Sequence, residues 1–272
     1  MFALGGRIAV VTGAGSGIGR ALAQTLAARG CRLALADIDE AALAQTAALA
    51  GGEPLLRKLD VADRAAVYAF ADEVAARYGA VHLVINNAGV ALSETIAEMR
   101  YEDFEWLMSI NFWGVVYGTK AFLPRLLAQG DGTVVNISSV FGLIAIPTQG
   151  AYNAAKFAVR GFTEALRHEL EGSGVRAISV HPGGIRTGIV RHGRIYRDPE
   201  GRTDKAAIDA RFEQLARTSP EKAAETIVRG VERGNPRVLI GPDARMIDWI
   251  QRLFPVRYYK LLEAITLRGG NR

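Results

Sequence analysis

The chain of 272 residues is 49% hydrophobic and 22% charged with 30 glycines, enough for one large α/β domain and unlike a disordered segment. Its formal charge of +5 comes from 33 Lys and Arg scattered among 28 acids without a long basic run, so no nucleic-acid partner is expected. Cys31 is the single cysteine, which excludes an internal disulfide and a cysteine-based metal site and fits a reducing compartment; no metal is expected. Met1 to Arg7 runs straight into a strand pattern without the basic and long apolar regions of a leader, and no apolar run is long enough to span a bilayer. A cytoplasmic location is the expectation.

Arg7 to Thr12 reads as a buried strand, followed by Gly13-Ala14-Gly15-Ser16-Gly17-Ile18-Gly19 and a helical pattern from Arg20 to Arg29. Strand, glycine turn and helix set backbone N–H groups and a helix N-terminus against a phosphate, and glycines allow close approach of a pyrophosphate. The turn therefore predicts nucleotide binding. Cys31 to Ala36 is a second strand ending at Asp37, where a carboxylate accepts hydrogen bonds from an adenine ribose and repels a 2′-phosphate. This favours NAD(H). NADP(H) stays open, because Arg20 and Arg57 are cations that the fold could bring to a 2′-phosphate.

Leu55 to Leu59 is a third strand closed by Asp60-Val61, Asp63 to Tyr78 is helical, and Val81 to Ile85 is a fourth strand ending in Asn86-Asn87-Ala88-Gly89. Asn87 suits a tie between neighbouring strand ends. A long helix is predicted over Tyr101 to Leu127, irregular where Asn111 and Pro124 interrupt it. Gly132 to Ser138 is the fifth strand, Tyr152 to Glu171 a helix, and Val175 to Val180 the sixth strand, ending in His181-Pro182-Gly183-Gly184. His181 reads as structural. Ile185 to Thr218 loses periodicity and is expected to be an irregular lid, about 185–218. Pro220 to Arg233 is helical, Arg237 to Ile240 a last strand, and a tail rich in large apolar residues, about 243–272, completes a single domain over 1–272. Strands alternating with helices predict a doubly wound parallel sheet with ligands at the strand carboxyl ends.

The polar residues with chemical potential fall at those ends. Tyr152 and Lys156 are four apart and share a helix face, which makes a phenol and an ammonium a candidate acid–base unit. The cation is expected to lower the phenol pKa from about 10. Ser139 or Ser138, delivered by the preceding strand, supplies a hydroxyl to the same spot.

Thr12-Gly13-x-x-x-Gly17-Ile18-Gly19, Asp60, Asn86-Asn87-Ala88-Gly89, Asn111, Ser139, Tyr152-x-x-x-Lys156 and Pro182-Gly183 occur together in that order. The set resembles the short-chain dehydrogenase/reductase family in its single-domain form, over about residues 5–242. The resemblance implies a seven-stranded Rossmann sheet and an oxidoreductase. It implies that Tyr152 is the acid–base, Ser139 the hydrogen-bond partner of the reacting oxygen, Lys156 the ligand of the nicotinamide ribose and Asn111 the holder of a relay water. By the same resemblance Gly13, Ser16, Gly17, Ile18 and Gly19 surround the pyrophosphate, Asp37 the ribose, Asp60 and Val61 the adenine, and Asn87 and Gly89 the adjoining ribose. Pro182, Gly183 and Thr187 belong to the nicotinamide end. It also implies a homodimer or homotetramer through the helices Tyr101–Leu127 and Tyr152–Glu171.

Residues near the chemistry are mostly apolar, with Phe141, Ile189 and Val190 joining Ser139 and Tyr152 as expected substrate contacts. The expected substrate is therefore a hydrophobic secondary alcohol and its ketone, bulky ones included. Alternatives are an NADPH-dependent 3-oxoacyl reductase and a dinucleotide-binding sensor without turnover. The tail has three readings: a core or interface element, which is preferred, a wall of the substrate pocket, or a surface that docks on a membrane.

Overall fold

The computed structural model describes residues 2–269; the last residues of the predicted tail, 270–272, lie outside the described residues. Strand β1 (Ile8–Thr12) passes through the glycine turn into α1 (Gly17–Ala28), β2 (Arg32–Asp37) leads to α2 (Glu40–Ala50), and β3 (Leu55–Lys58) to α3 (Arg64–Tyr78). After β4 (Leu83–Asn86) come a two-residue strand β5 (Leu92–Ser93) and α4 (Tyr101–Met108), which continues through a π turn at Ser109–Trp113 into α5 (Gly114–Gln129). Then follow β6 (Gly132–Ile137), a 3₁₀ turn at Val140–Gly142, α6 (Gly150–Glu169), β7 (Val175–Pro182), β8 (Arg194–Ile195) and α7 (Lys205–Leu215). The chain closes with α8 (Pro220–Arg233), β9 (Arg237–Ile240), α9 (Pro242–Leu253) and α10 (Tyr258–Gly269).

Seven strands form one parallel sheet in the order β3-β2-β1-β4-β6-β7-β9. Strand β1 is buried at every position, as is β4, which is what a strand covered on both faces requires. One face packs Leu22 and Leu26 of α1 with Ile227, Val228 and Val231 of α8. The other packs Phe70 and Val74 of α3 with Phe122 and Leu126 of α5 and Leu166 of α6. Chain order reverses between β1 and β4, so the strand ends there open a crevice between the two halves.

The irregularity expected in the long helix is the π turn, and it is centred on Asn111; Pro124 is accommodated within α5. The expectation of an irregular lid needs correction. Arg194–Ile195 pairs in parallel with Leu92–Ser93, and Asp204 caps the helix α7 through the Ala206 and Ala207 N–H groups. That helix buries no residue: of its apolar repeat, Ile208 and Phe212 are half-buried and Leu215 is exposed. Helix α6 begins at Gly150 rather than Tyr152, which puts Tyr152 in its first turn.

Candidate active site

The glycine turn folds tightly against the end of β4. A Cβ at Gly13, which has φ of 62°, would lie 2.7 Å from the Ala88 Cα, and one at Gly19 would lie 1.9 Å from the Gly13 carbonyl oxygen. Asn87 fastens this junction by donating from Nδ2 to the Thr12 and Gly13 carbonyls at 2.9 and 3.1 Å. The Thr12 hydroxyl accepts in return from the Asn87 and Ala88 N–H groups. Ser16 stands at the N-cap of α1 and makes no side-chain cap, so the first turn of the helix keeps its N–H groups for an anion. Ile18 leans into the core beside α1. These features fit a dinucleotide pyrophosphate.

Asp37 ends β2 beside this turn and accepts from the Gly15 N–H at 2.7 Å and the Asp39 N–H at 2.9 Å. Helix capping falls to Asp39, which accepts from the Ala42 N–H. Of the two candidate cations for a 2′-phosphate, Arg20 lies beside Asp37 on the glycine turn and Arg57 is paired with an acid. Arg20 donates to the Gly15 carbonyl and the Thr46 hydroxyl, and Arg57 pairs with Glu73 at 2.9 Å. Asp60 is exposed and accepts from the Ala62 N–H, while Val61 is buried against Gly114.

At the end of β6 the two serines separate. The Ser138 hydroxyl is buried and donates to the Lys156 carbonyl at 2.8 Å. Ser139 is extended, accepts from the Phe141 N–H at 3.1 Å, and shares a hydrogen bond with the Tyr152 hydroxyl. The Phe141 ring stands edge-on to Tyr152, with centroids 6.1 Å apart. Lys156 is buried; its Nζ donates to the Ile137 carbonyl at 3.0 Å and lies 5.6 Å from the Tyr152 ring centroid. Gly89 lies between this amine and Asn111, since a Cβ there would be 3.6 Å from Lys156 Nζ and 3.2 Å from Asn111 Oδ1.

The expected lowering of the Tyr152 pKa does not occur in the protein by itself. Burial pushes the phenol up to about 12, and the Ser139 hydrogen bond offsets only part of this. Burial likewise lowers the Lys156 ammonium to about 8. Desolvation of each charged form outweighs their proximity. The Asn111 side chain is clamped on Val90, Oδ1 accepting from its N–H and Nδ2 donating to its carbonyl, each at 2.8 Å.

His181, which reads as structural in the sequence, is fully buried behind the serine. Its Nδ1 meets the Ser139 carbonyl at 3.1 Å and its Nε2 the Ser179 hydroxyl at 3.0 Å. A carbonyl only accepts, so Nδ1 carries the proton and Nε2 accepts from Ser179. Burial holds this imidazole neutral, lowering its pKa to about 4. The position before Pro182-Gly183 was its only signal. At that loop, Asp243 of α9 accepts from the Gly184 N–H and occupies the space that a side chain at Gly183 would need.

The segment after β7 folds back onto the glycine turn. Thr187 packs on Gly17, with its Cγ2 3.0 Å from where a Cβ would stand, Ile189 is half-buried and Val190 is buried. Strand β8 is latched to α4 by Asp103, which is 1% exposed and accepts from Arg194 at 2.7 Å and Arg100 at 2.8 Å. The Arg194 guanidinium also lies 4.0 Å from the Trp106 ring centroid. Beneath it, the Ser93 and Thr148 hydroxyls meet at 3.1 Å, and Thr148 holds φ of 63°, a left-handed conformation costly for a β-branched residue.

The arrangement brings a phenol and a serine hydroxyl to one point at the crevice, where together they can exchange a proton with an alcohol or carbonyl oxygen. Comparison with known proteins bears on this chemistry. The profile of the short chain dehydrogenase family matches residues 7–195. A Mycobacterium tuberculosis protein that carries the name oxidoreductase SadH is 49% identical over 264 residues, 95% of each chain. The D-threitol dehydrogenase of Mycolicibacterium smegmatis is 38% identical over 184 residues, 66% of this chain and 71% of that protein. The crystal structure of a short-chain dehydrogenase/reductase from Burkholderia phymatum in complex with NAD matches with a TM-score of 0.85 and 34% identity, covering 93% of this chain and 95% of that one. Sheet order, glycine turn and profile agree, and the chain belongs to the short-chain dehydrogenase/reductase family as an oxidoreductase with a nicotinamide-dinucleotide Rossmann fold.

Proposed function

We propose that this oxidoreductase interconverts a hydrophobic secondary alcohol and its ketone using NAD(H). The observation that carries this reading is the Tyr152 hydroxyl, bonded to Ser139 and walled by the Phe141 ring. In reduction Tyr152 donates its proton to the carbonyl oxygen, and in oxidation it removes the hydroxyl proton. Ser139 hydrogen-bonds the same oxygen and stabilises charge that develops there. A bound nicotinamide dinucleotide supplies and accepts the hydride. Gly13, Ser16, Gly17, Ile18 and Gly19 would hold its pyrophosphate, Asp37, Asp60 and Val61 the adenosine, and Asn87, Gly89 and Lys156 the other ribose. Pro182, Gly183 and Thr187 would border the nicotinamide. With its side chain clamped on Val90, Asn111 would bind a relay water through its main-chain carbonyl. The preference for NAD(H) is supported by Asp37, whose carboxylate stands at the end of β2 on the Gly15 N–H.

A second reading, a small polar polyol as substrate, is favoured by the 38% identity over 184 residues to a D-threitol dehydrogenase. Steady-state kinetics with ketones, secondary alcohols, polyols and hydroxy acids, each against NAD(H) and NADP(H), separates the two. We expect higher kcat/KM for apolar substrates and for NAD(H). Tyr152→Phe should lower turnover about 10²–10⁴-fold while NADH still binds, measured by its fluorescence. Preference for polyols or charged hydroxy acids would remove the apolar pocket, preference for NADP(H) the role of Asp37, and undiminished turnover of Tyr152→Phe the mechanism.

A further inference from the structure

The chain passes from α9 into α10 through six consecutive exposed residues, Arg252-Leu253-Phe254-Pro255-Val256-Arg257. Leu253 is 64% exposed and Val256 90% exposed, and Trp249, one turn earlier on α9, is 66% exposed. This is not a fraying end. The inner face of α9 is fixed by Asp248, which is buried and accepts from Arg237 of β9 at 2.5 Å, and by Asp243 on the Gly184 N–H. On the far side of the tip, the Tyr258 hydroxyl accepts from the Ala145 N–H at 3.0 Å. Two anchored helices thus hold an apolar tip out into solvent.

Cations outnumber acids on the outside of the tip: Glu263 is an exposed acid on α10, and Arg252 also pairs with Asp248 at 3.2 Å. Arg252 and Arg257 bracket it, and Arg245 and Lys260 are exposed on the adjoining helices. Two acids of α9, Asp243 and Asp248, are turned inward onto Gly184 and Arg237. We propose that the α9–α10 tip docks on an anionic phospholipid bilayer, with Trp249, Leu253, Phe254 and Val256 entering the headgroup boundary and the flanking cations meeting lipid phosphates. An exposed tryptophan beside aliphatic side chains and arginines suits that boundary, which is apolar on one side and negatively charged on the other. A second copy meeting the tip about a two-fold axis would instead set one cationic rim against an identical one. Among the described residues no helix is long and apolar enough to cross a membrane, so the attachment is peripheral. Tyr258 ties the tip to Ala145, close in sequence to the Phe141 wall of the site. The inference does not depend on which substrate fills that site.

Flotation of the full chain with vesicles tests it. With phosphatidylcholine containing phosphatidylglycerol the protein should float, with phosphatidylcholine alone on the order of tenfold less, and raised salt should release it. Tryptophan emission should shift to the blue on addition of anionic vesicles, and Trp249→Phe, which keeps Trp106 and Trp113, should abolish the shift. The triple variant Leu253→Ser, Phe254→Ser, Val256→Ser should lose flotation while its melting temperature and NADH binding stay at wild-type values. If that variant fails to fold, Arg252→Glu with Arg257→Glu takes its place and should lose binding to anionic vesicles. Absence of flotation in the wild type, or equal flotation of these variants, overturns the proposal. So does a fall in oligomer mass on tip substitution without a lipid effect, which would assign the tip to a second copy.

Discussion

Neighbouring serines at the end of β6 do different work because the chain turns between them. Ser138 closes a buried hydrogen bond to the Lys156 carbonyl, and Ser139 faces Tyr152. Ser138→Ala should therefore cost about 1–3 kcal/mol of stability, read from urea melts, by leaving that carbonyl short of a partner. Ser139→Ala should cost about 0.5–2 kcal/mol through the lost cap on the Phe141 N–H and lower turnover about 10²–10³-fold. His181 takes up its proton at a lower pH than an exposed imidazole. Its folded value is about 4 against an ordinary 6.5, so between those values the unfolded chain takes up a proton that the folded protein refuses. The stability contributed by the neutral ring is complete above pH 6.5 and is lost as pH falls through 4, a difference of about 3 kcal/mol. Urea melts from pH 7 to pH 4 should show this loss in the wild type and a flatter profile in His181→Asn.

Pairing of β5 with β8 is the hinge of the lid at the level of elements, and it is two residues long on each side. Such a short pairing cannot hold a lid alone, and the Asp103 latch with Arg100 and Arg194 completes it. Asp103→Ala should destabilise the protein by about 1–3 kcal/mol, discounted because both arginines reach solvent. Its effect should be local, so limited proteolysis should cut first in the lid, ahead of global unfolding. The seven strands of the main sheet were legible in the sequence because long apolar runs alternate with amphipathic helices. Asn111 in mid-helix likewise announced the π turn. What was not legible depends on short elements or distant contacts: β5 and β8 have no periodicity to read, and the short Ile208, Phe212, Leu215 repeat of α7 buries nothing in the core. His181 reaches Ser139 across 42 positions and Tyr258 reaches Ala145 across 113. The net rise in the Tyr152 pKa was hidden for the same reason, since burial is a property of the assembled crevice.

For the molecule as a whole, the helices expected to join subunits do present apolar surface. Phe104, Trp113 and Phe157 are 37%, 47% and 41% exposed, and Trp113 stacks on Tyr117 as part of one ledge. Light scattering should give a mass that is a multiple of 29.2 kDa, and Trp113→Ser with Phe157→Ser should reduce it toward that value. Strand order also shapes how the chain is made. Strand β1 sits between β2 and β4, so it can join β2, itself paired with β3, once Lys58 has left the ribosome, while its other edge stays bare until Leu83 to Asn86 follow. From there β6, β7 and β9 add outward in the order of synthesis. The nascent sheet thus always carries one open apolar edge that travels toward the C-terminus, and chains released before Ile240 are the ones that edge-to-edge association will capture.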